Sequence, residues 1–316
     1  MKFDEKHLAQ LAAVIDAGGV SEGANRLGLS QPAVSRTLAA MERRLGEPLF
    51  VKGKRPLVPT LIGRQLGAHG KVILEASRKA SETVQSFQSG SLGTVRIGGV
   101  PFFIDAYISR MIGVFLTHEP DIRVDQSYGN LPDLEAALTS GSLDLAIAPM
   151  GMVQAGSGIQ FDEILPGRNI IACRKQHPLL RKRRISSKDL LTYPWIAPLP
   201  GSPLLADIHA ILLSLGMSEL AVRYSGGSLM SVLHYLEETD ALTVLPHSVV
   251  FAFRNSHPVR ILPVQIPQPA RSLGVLHLRD APMLPATQKL KSHILREFKD
   301  LRTLIQRHEN AVVWGN

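Results

Sequence analysis

Gln31, Ser35 and Arg36 offer an amide, a hydroxyl and a guanidinium within six residues, at the start of one helix-like segment. Amides and guanidiniums can pair bidentately with base edges, and hydroxyls with phosphate oxygens, so the chemistry is recognition of nucleic acid. Ser30 precedes them in a capping position, and Pro32 falls in the first turn, where its missing N–H costs nothing. Val34, Leu38, Met41 and Leu45 recur at helical spacing and give the helix a stripe to bury. Upstream, Ser21 is placed to cap a shorter helix, Gly23 and Ala24 let a second helix cross closely, and Gly28 permits a left-handed turn. These spacings predict a helix-turn-helix over residues 21–46 that presents the N-terminal end of its second helix to a major groove.

The basic tip of LFVKGKRPLVPT, residues 49–60, is formed by Lys52, Lys54 and Arg55 between apolar flanks. It is either a wing along a phosphate backbone or a solvated hairpin, and its position directly after a helix-turn-helix favours the wing. Next, Ile62, Leu66, His69, Ile73, Ala76, Ala80, Val84 and Phe87 recur every three or four residues, close to a heptad seam. A helix of about 27 residues spans about 40 Å. Its apolar edge wants a partner helix, from a second copy of the chain or from the chain's own larger domain. Ile62, Leu66, Ile73, Ala80, Val84 and Phe87 are the candidate dimerisation residues.

After SGSLG, residues 89–93, strand-like and helix-like runs alternate to about residue 280, and a last amphipathic helix covers about 284–308. TVRIGGV, DIRVDQSYG and LDLAIAP form one strand set; IIACRKQ, PWIAPL, VRYSGG and ALTVLP form a second, with RSLGVLHLRD as a return strand. Strands separated by helices imply parallel sheet. The chain passes between the sets near 164–167 and again near 263–269, as a hinged two-lobed domain with a ligand cleft requires. Loops after the strands should line that cleft: Gly99, Val100, Pro101, Phe102 and Phe103; Asn130 and Leu131; Pro149 and Met150; Gly201 and Ser202; and Ser225 through Ser228. Phe102 and Phe103 either meet the ligand or pack the first helix. The domains are then 1–60, a winged helix-turn-helix; 61–89, a linker and dimerisation helix; and 90–316, an effector-binding domain. Its lobe I covers about 93–164 and 267–308, and its lobe II about 165–266.

Residues 18–63 closely resemble the LysR-type transcriptional regulators: a Gly-Gly entry, the GA pair, NRLGLSQPAVSR, ERRLGEPLF and a PT…G approach to the next helix. Weaker agreement continues through GNLPDLEAALTSGSLDLAI, KQHPL and LTVLP. The resemblance implies an α/β protein with a helix-rich N-terminal winged helix-turn-helix, a long linker helix and a two-lobed, periplasmic-binding-protein-like effector domain. It implies promoter DNA and a small-molecule effector as partners, RNA polymerase as a further candidate, and a homodimer or homotetramer. DNA contacts carry over directly to Ser30, Gln31, Pro32, Ser35 and Arg36, and more loosely to Arg26, Lys52, Lys54 and Arg55. Glu22, Gly23 and Pro59 depart from the usual family pattern, and the first cleft loop, GGVPFF, lacks the hydroxyl that members often carry. That loop points to an apolar, aromatic or sugar-like effector.

Composition agrees with a polyanionic partner: net charge is +8, with thirteen Lys and Arg against eight Asp and Glu through residue 88. Arg174, Lys175, Arg181, Lys182, Arg183 and Arg184 form a second basic cluster, read as a solvated loop. Eleven scattered histidines and one cysteine give no metal-ligand spacing, so neither metal nor cofactor is expected. Cys173 is read as a core thiol, with a redox sensor as the alternative. No signal-like start and no long apolar run point to the cytoplasm. No nucleophile or acid–base set emerges, so no catalysis is expected. The competing functions are a small-molecule-binding protein, or an enzyme, on the same two-lobed scaffold.

Overall fold

The computed structural model describes residues 3–89, 93–151, 158–200, 202–217 and 219–313, with the side chains of 85–89, 312 and 313 outside that description. The chain divides into two compact units, Met1–Gly93 with Ala136–Leu143, and Thr94–Glu135 with Asp144–Asn316.

In the first unit, α1 (Glu5–Ala17), α2 (Val20–Arg26) and α3 (Gln31–Leu45) enclose a small core of Leu11, Val14, Ala24, Val34, Leu38, Met41 and Leu49. The expected α3 stripe buries as its spacing requires, with Leu45 only half-buried. Ser21 does not cap α2. Gly19 holds that position in extended conformation and Ser21 is the second helical residue, because the Gly18–Gly19 pair already ends one helix and starts the next. A hairpin then pairs Phe50 with Pro59 and turns at Gly53, whose φ is +75°. It leads into α4 (Leu61–Ser89).

The first turns of α4 lie on α1 at backbone contact. A Cβ on Gly70 would sit 1.9 Å from the Leu8 carbonyl oxygen and 3.0 Å from Ala12 Cβ. In an uncrowded helix Gly→Ala stabilises by about 1 kcal/mol. Here Gly70→Ala is expected to destabilise the head by about 2 kcal/mol, because α1 and α4 must move apart. A thermal melt would read the sign directly, and a variant more stable than the parent would contradict this packing.

In the second unit β1 (Gly93–Gly99) runs into one continuous helical stretch, α5 (Pro101–Phe103), a π-helical turn Ile104–Ile108 and α6 (Ser109–His118). It continues through β2 (Ile122–Tyr128), α7 (Leu131–Ser140), which is grouped with the first unit from Ala136 onward, β3 (Leu145–Met150) and β4 (Ile159–Pro166). Lobe II comprises β5 (Asn169–Arg174), the 3-10 turn Pro178–Arg181, α8 (Ser187–Leu191), β6 (Trp195–Ala197), α9 (Pro203–Ser214) and β7 (Val222–Ser225). It is completed by α10 (Leu229–Glu238), β8 (Thr243–Pro246), α11 (His247–Phe253) and β9 (Val259–Ile261). The chain returns as β10 (Ser272–Leu278) and ends in α12 (Pro285–Val313).

Lobe I holds a five-stranded sheet ordered β2-β1-β3-β10-β4; lobe II holds β8-β5-β9 and a β6-β7 pair. Parallel pairing joins β1 to β3 and β6 to β7, and a parallel bridge joins Trp195 to Leu242. The return strand β10 is antiparallel to both neighbours, and β5 is antiparallel to β8 and β9, so the sheets are mixed rather than purely parallel. The reason is the double crossing: a strand that re-enters lobe I from the hinge runs against the strands that left it. The two crossings touch at Gly167, where a Cβ would lie 2.0 Å from the Arg271 carbonyl oxygen.

Candidate nucleic-acid interface and ligand cleft

At the N-terminal end of α3, Gln31, Pro32, Ser35 and Arg36 are all exposed, while Val34 and Leu38 between them are buried. Helical periodicity alone produces this division, since the polar residues share the face opposite the stripe. Ser30 occupies the N-cap with extended backbone, yet its hydroxyl makes no cap bond to its own helix. Ser30 is exposed, so that hydroxyl is accessible to a phosphate oxygen. Arg26, at the last turn of α2, is exposed beside them in sequence order.

Lys52, Lys54 and Arg55 are exposed at the hairpin tip. The hairpin is held at its base, where Val51 N–H donates to Val58 O at 2.8 Å and Thr60 N–H to Leu49 O at 2.9 Å. Its entry is tied to α3 itself, because Leu49 N–H donates to Glu42 Oε1 at 2.8 Å. That carboxylate fixes the hairpin relative to α3, and nothing in its local pattern announced the role.

Along α4, Ile62, Leu66 and Ile73 are half-buried and Ala80 is exposed, with Val84 55% exposed; the Phe87 side chain lies outside the described residues. Leu66 packs against the head's own core, so the start of the apolar stripe serves α1, while farther along Ile73 and Leu74 are half-buried and Ala76, Ala80 and Val84 are exposed. Glu75, Arg78 and Glu82 are linked by ion pairs of 2.6 and 2.5 Å along the helix.

A cavity of about 720 Å³ opens between the lobes of the second unit. Of the loop residues expected there, Val100, Pro101, Phe102, Phe103, Asn130, Leu131, Pro149, Ser202, Gly226, Gly227 and Ser228 line it, while Gly201 lies outside the described residues. Gly99, Met150 and Ser225 do not line it. Gly99 is wedged against Ile104 and the Ile147 carbonyl, Met150 alternates to the opposite face from Pro149, and Ser225 ends β7 in pairing with Ala197. Phe103 is buried in the lobe core, and half-buried Phe102 both packs on that core and faces the cavity.

The hinge contributes lining residues that the loop reading missed: Arg168, Asn169 and Arg271. Asn169 and Arg271 belong to one network around Asp207 of α9. Arg271 donates through both terminal nitrogens to the two Asp207 oxygens, one contact at 2.9 Å, and Asn169 Nδ2 donates to Asp207 Oδ2 at 2.7 Å. Asn169 N–H also donates to Gln268 Oε1 at 2.7 Å, joining the outgoing and returning crossings. Arg168 pairs with Glu309 at 3.3 Å.

Cys173 is fully buried in β5, and burial pushes its thiol up to about 12, so it behaves as a core residue without a reactive thiolate. In the second basic cluster Arg174 pairs with Asp240 at 2.7 Å and Lys182 with Asp189 at 2.5 Å, while Arg181, Arg183 and Arg184 are exposed. Among the described residues no helix is long and apolar enough to cross a membrane.

The family profile for the LysR substrate binding domain matches residues 88–299, and that for the bacterial regulatory helix-turn-helix protein, lysR family, matches residues 6–64. An SDS degradation transcriptional activation protein of a Pseudomonas species is 27% identical over 249 residues, covering 78% of this chain and 80% of the relative. The regulator GbpR of Azospirillum brasilense is 25% identical over 284 residues, covering 90% and 83%. Full-length OxyR from Pseudomonas aeruginosa, in a variant form, superposes with a TM-score of 0.68 at 18% identity, covering 93% of this chain and 95% of that one. CbnR in complex with its target DNA gives 0.63 at 18% identity, covering 94% and 100%. At these identities the structural likeness shows a common fold.

Proposed function

The chain belongs to the LysR family of bacterial helix-turn-helix transcription regulators, and on that premise we propose which of its residues meet DNA, effector and a second protomer. Gln31, Ser35 and Arg36, with Pro32 against them, read base edges in a major groove. Ser30, Arg26, Lys52, Lys54 and Arg55 hold the flanking phosphates. The observation that carries this is the exposed polar edge of α3, set on a helix whose other face is buried in the head. The apolar stripe of α4, half-buried at Ile73 and exposed at Ala76, Ala80 and Val84, pairs with the same helix of a second copy, and two heads then read a partly palindromic site. A small molecule in the lobe cleft, touching the lining residues named above, shifts the population of open and closed lobes and thereby the spacing of the heads. The chain is a regulator without catalysis of its own, and it acts in the cytoplasm, where bacterial promoter DNA lies.

A gel-shift titration on DNA upstream of the gene tests this reading. Three wing cations per protomer in a dimer predict that log K falls with log salt with a slope of about −5 or steeper. Binding indifferent to salt would overturn the phosphate contacts.

A further inference from the structure

The cleft has apolar walls on both sides: Val100, Phe102 and Leu131 from lobe I, and Ile196, Leu199 and Val232 from lobe II. The charged side chains that line it are Asp105, Arg168 and Arg271. Neither guanidinium is available as a free counter-ion. Arg271 is matched bidentately by Asp207, whose second oxygen is further engaged by Asn169, and Arg168 is matched by Glu309. Asp105 is then left as the one carboxylate without a cation, accepting the Tyr128 hydroxyl at 2.7 Å.

Three of the helix starts around the cleft, those of α7, α9 and α10, are capped by their own side chains, whereas the starts at Val100 and Pro246 carry no side-chain cap. Ser202 Oγ accepts from Leu204 N–H at 3.3 Å, Ser228 Oγ from Ser231 N–H at 3.2 Å, and Asn130 Oδ1 from Asp133 N–H at 3.0 Å. Each side chain that looked placed to grip a polar ligand is turned onto the end of its own helix. An entering anion would lose its water, meet guanidiniums already neutralised and face Asp105. An apolar body would displace water from apolar walls at no such penalty.

We propose that this cleft selects a largely apolar effector with an aromatic or alkyl body and no anionic group, and discriminates against carboxylates. This rests on the reading of the cleft as the effector site. The selectivity follows from charge pairing across the hinge: removing the carboxylates that occupy Arg168 and Arg271 would turn the same cavity into an anion site.

The test uses the full-length protein and three probes of one shape: 2-naphthamide, 2-naphthoate and 2-naphthylmethylammonium, titrated by calorimetry. The amide is expected to bind at least about tenfold more tightly than the carboxylate, because an unpaired buried carboxylate is strongly disfavoured. In Asp207→Asn combined with Glu309→Gln that preference is expected to fall by about tenfold or to reverse. Leu131→Trp with Leu199→Trp, which narrows the cavity from both walls, is expected to abolish binding. If naphthoate binds wild-type protein as tightly as naphthamide, and the narrowing variant loses both, the discrimination against anions falls while the cleft remains the effector site. If the probes bind equally well to the narrowed variant, the cleft reading itself falls. Failure of all three to bind at millimolar concentration would also overturn the inference, as would an unchanged preference in a folded Asp207→Asn, Glu309→Gln protein.

Discussion

Arg36→Ala is expected to lower specific operator affinity by about 1–3 kcal/mol, roughly a 5- to 150-fold loss, with no change in the melting curve. The side chain is exposed on the face of α3 that contributes nothing to the head core, so its removal leaves the fold intact. The loss should be selective: affinity for random DNA falls much less, and the salt slope of specific binding changes by no more than about one unit for a lost cation. Lys52→Ala with Lys54→Ala should show the opposite balance, weakening specific and random DNA alike and flattening the slope by about four, two cations being lost from each protomer of the dimer. The two variants thus separate base reading from phosphate holding. Equal loss on both kinds of DNA for Arg36→Ala would move this residue from the groove to the backbone.

The second large effect lies at the hinge. Asp207 is the shared acceptor for Arg271 and Asn169, and its side chain is only 12% exposed. Asp207→Ala leaves a mostly buried guanidinium and a buried amide without their acceptor. Breaking a buried pair costs about 3–5 kcal/mol, and the 22% exposure of Arg271 reduces this to about 2–4 kcal/mol here. Calorimetry of the full-length protein should show the effector-domain transition lowered by roughly 5–10 °C. Adding Arg271→Met to Asp207→Ala should restore part of the loss, since the unpaired charge is then gone as well. An Asp207→Ala protein that melts with the parent would mean that water replaces the carboxylate at little cost.

Much of this molecule was legible in its sequence, and where it was not the causes are physical. The head could be read because its signals are local: a stripe at helical spacing, a proline in a first turn and a left-handed glycine at Gly28 all lie within one supersecondary unit. The strand β4 escaped notice because its alternation is broken. A bulge shifts the pairing between Leu273 and Gly274, so that adjacent Ile164 and Leu165 are both buried and the period of two is lost. The strand β9 has three residues, too few for any period to show. The direction of pairing in lobe II depends on where the chain re-enters, which no window of neighbouring residues encodes.

The cleft shows the same division. Val100 through Phe103 could be located because they follow a strand, whereas choosing Met150 beside Pro149 amounts to choosing a face, and adjacent strand residues take opposite ones. The Asp207 network joins residues 38 and 64 positions apart in the chain and left no local trace. The α4 stripe was legible as a stripe, but not that its beginning belongs to the head. The glycines of α4 gave that signal, since only a helix pressed against another backbone needs a residue without a Cβ at Gly70.

The placement of α3 in a groove is open to one direct measurement. Because Cys173 is fully buried, Ser35→Cys carries a single reactive thiol to which a chelated iron can be tethered. With the protein on its promoter, radical cleavage should cluster at two positions about one or two helical turns apart, each within the major groove of a half-site. Cleavage that is absent or evenly scattered, while an untethered Ser35→Cys protein still protects the site, would contradict entry of α3 into DNA.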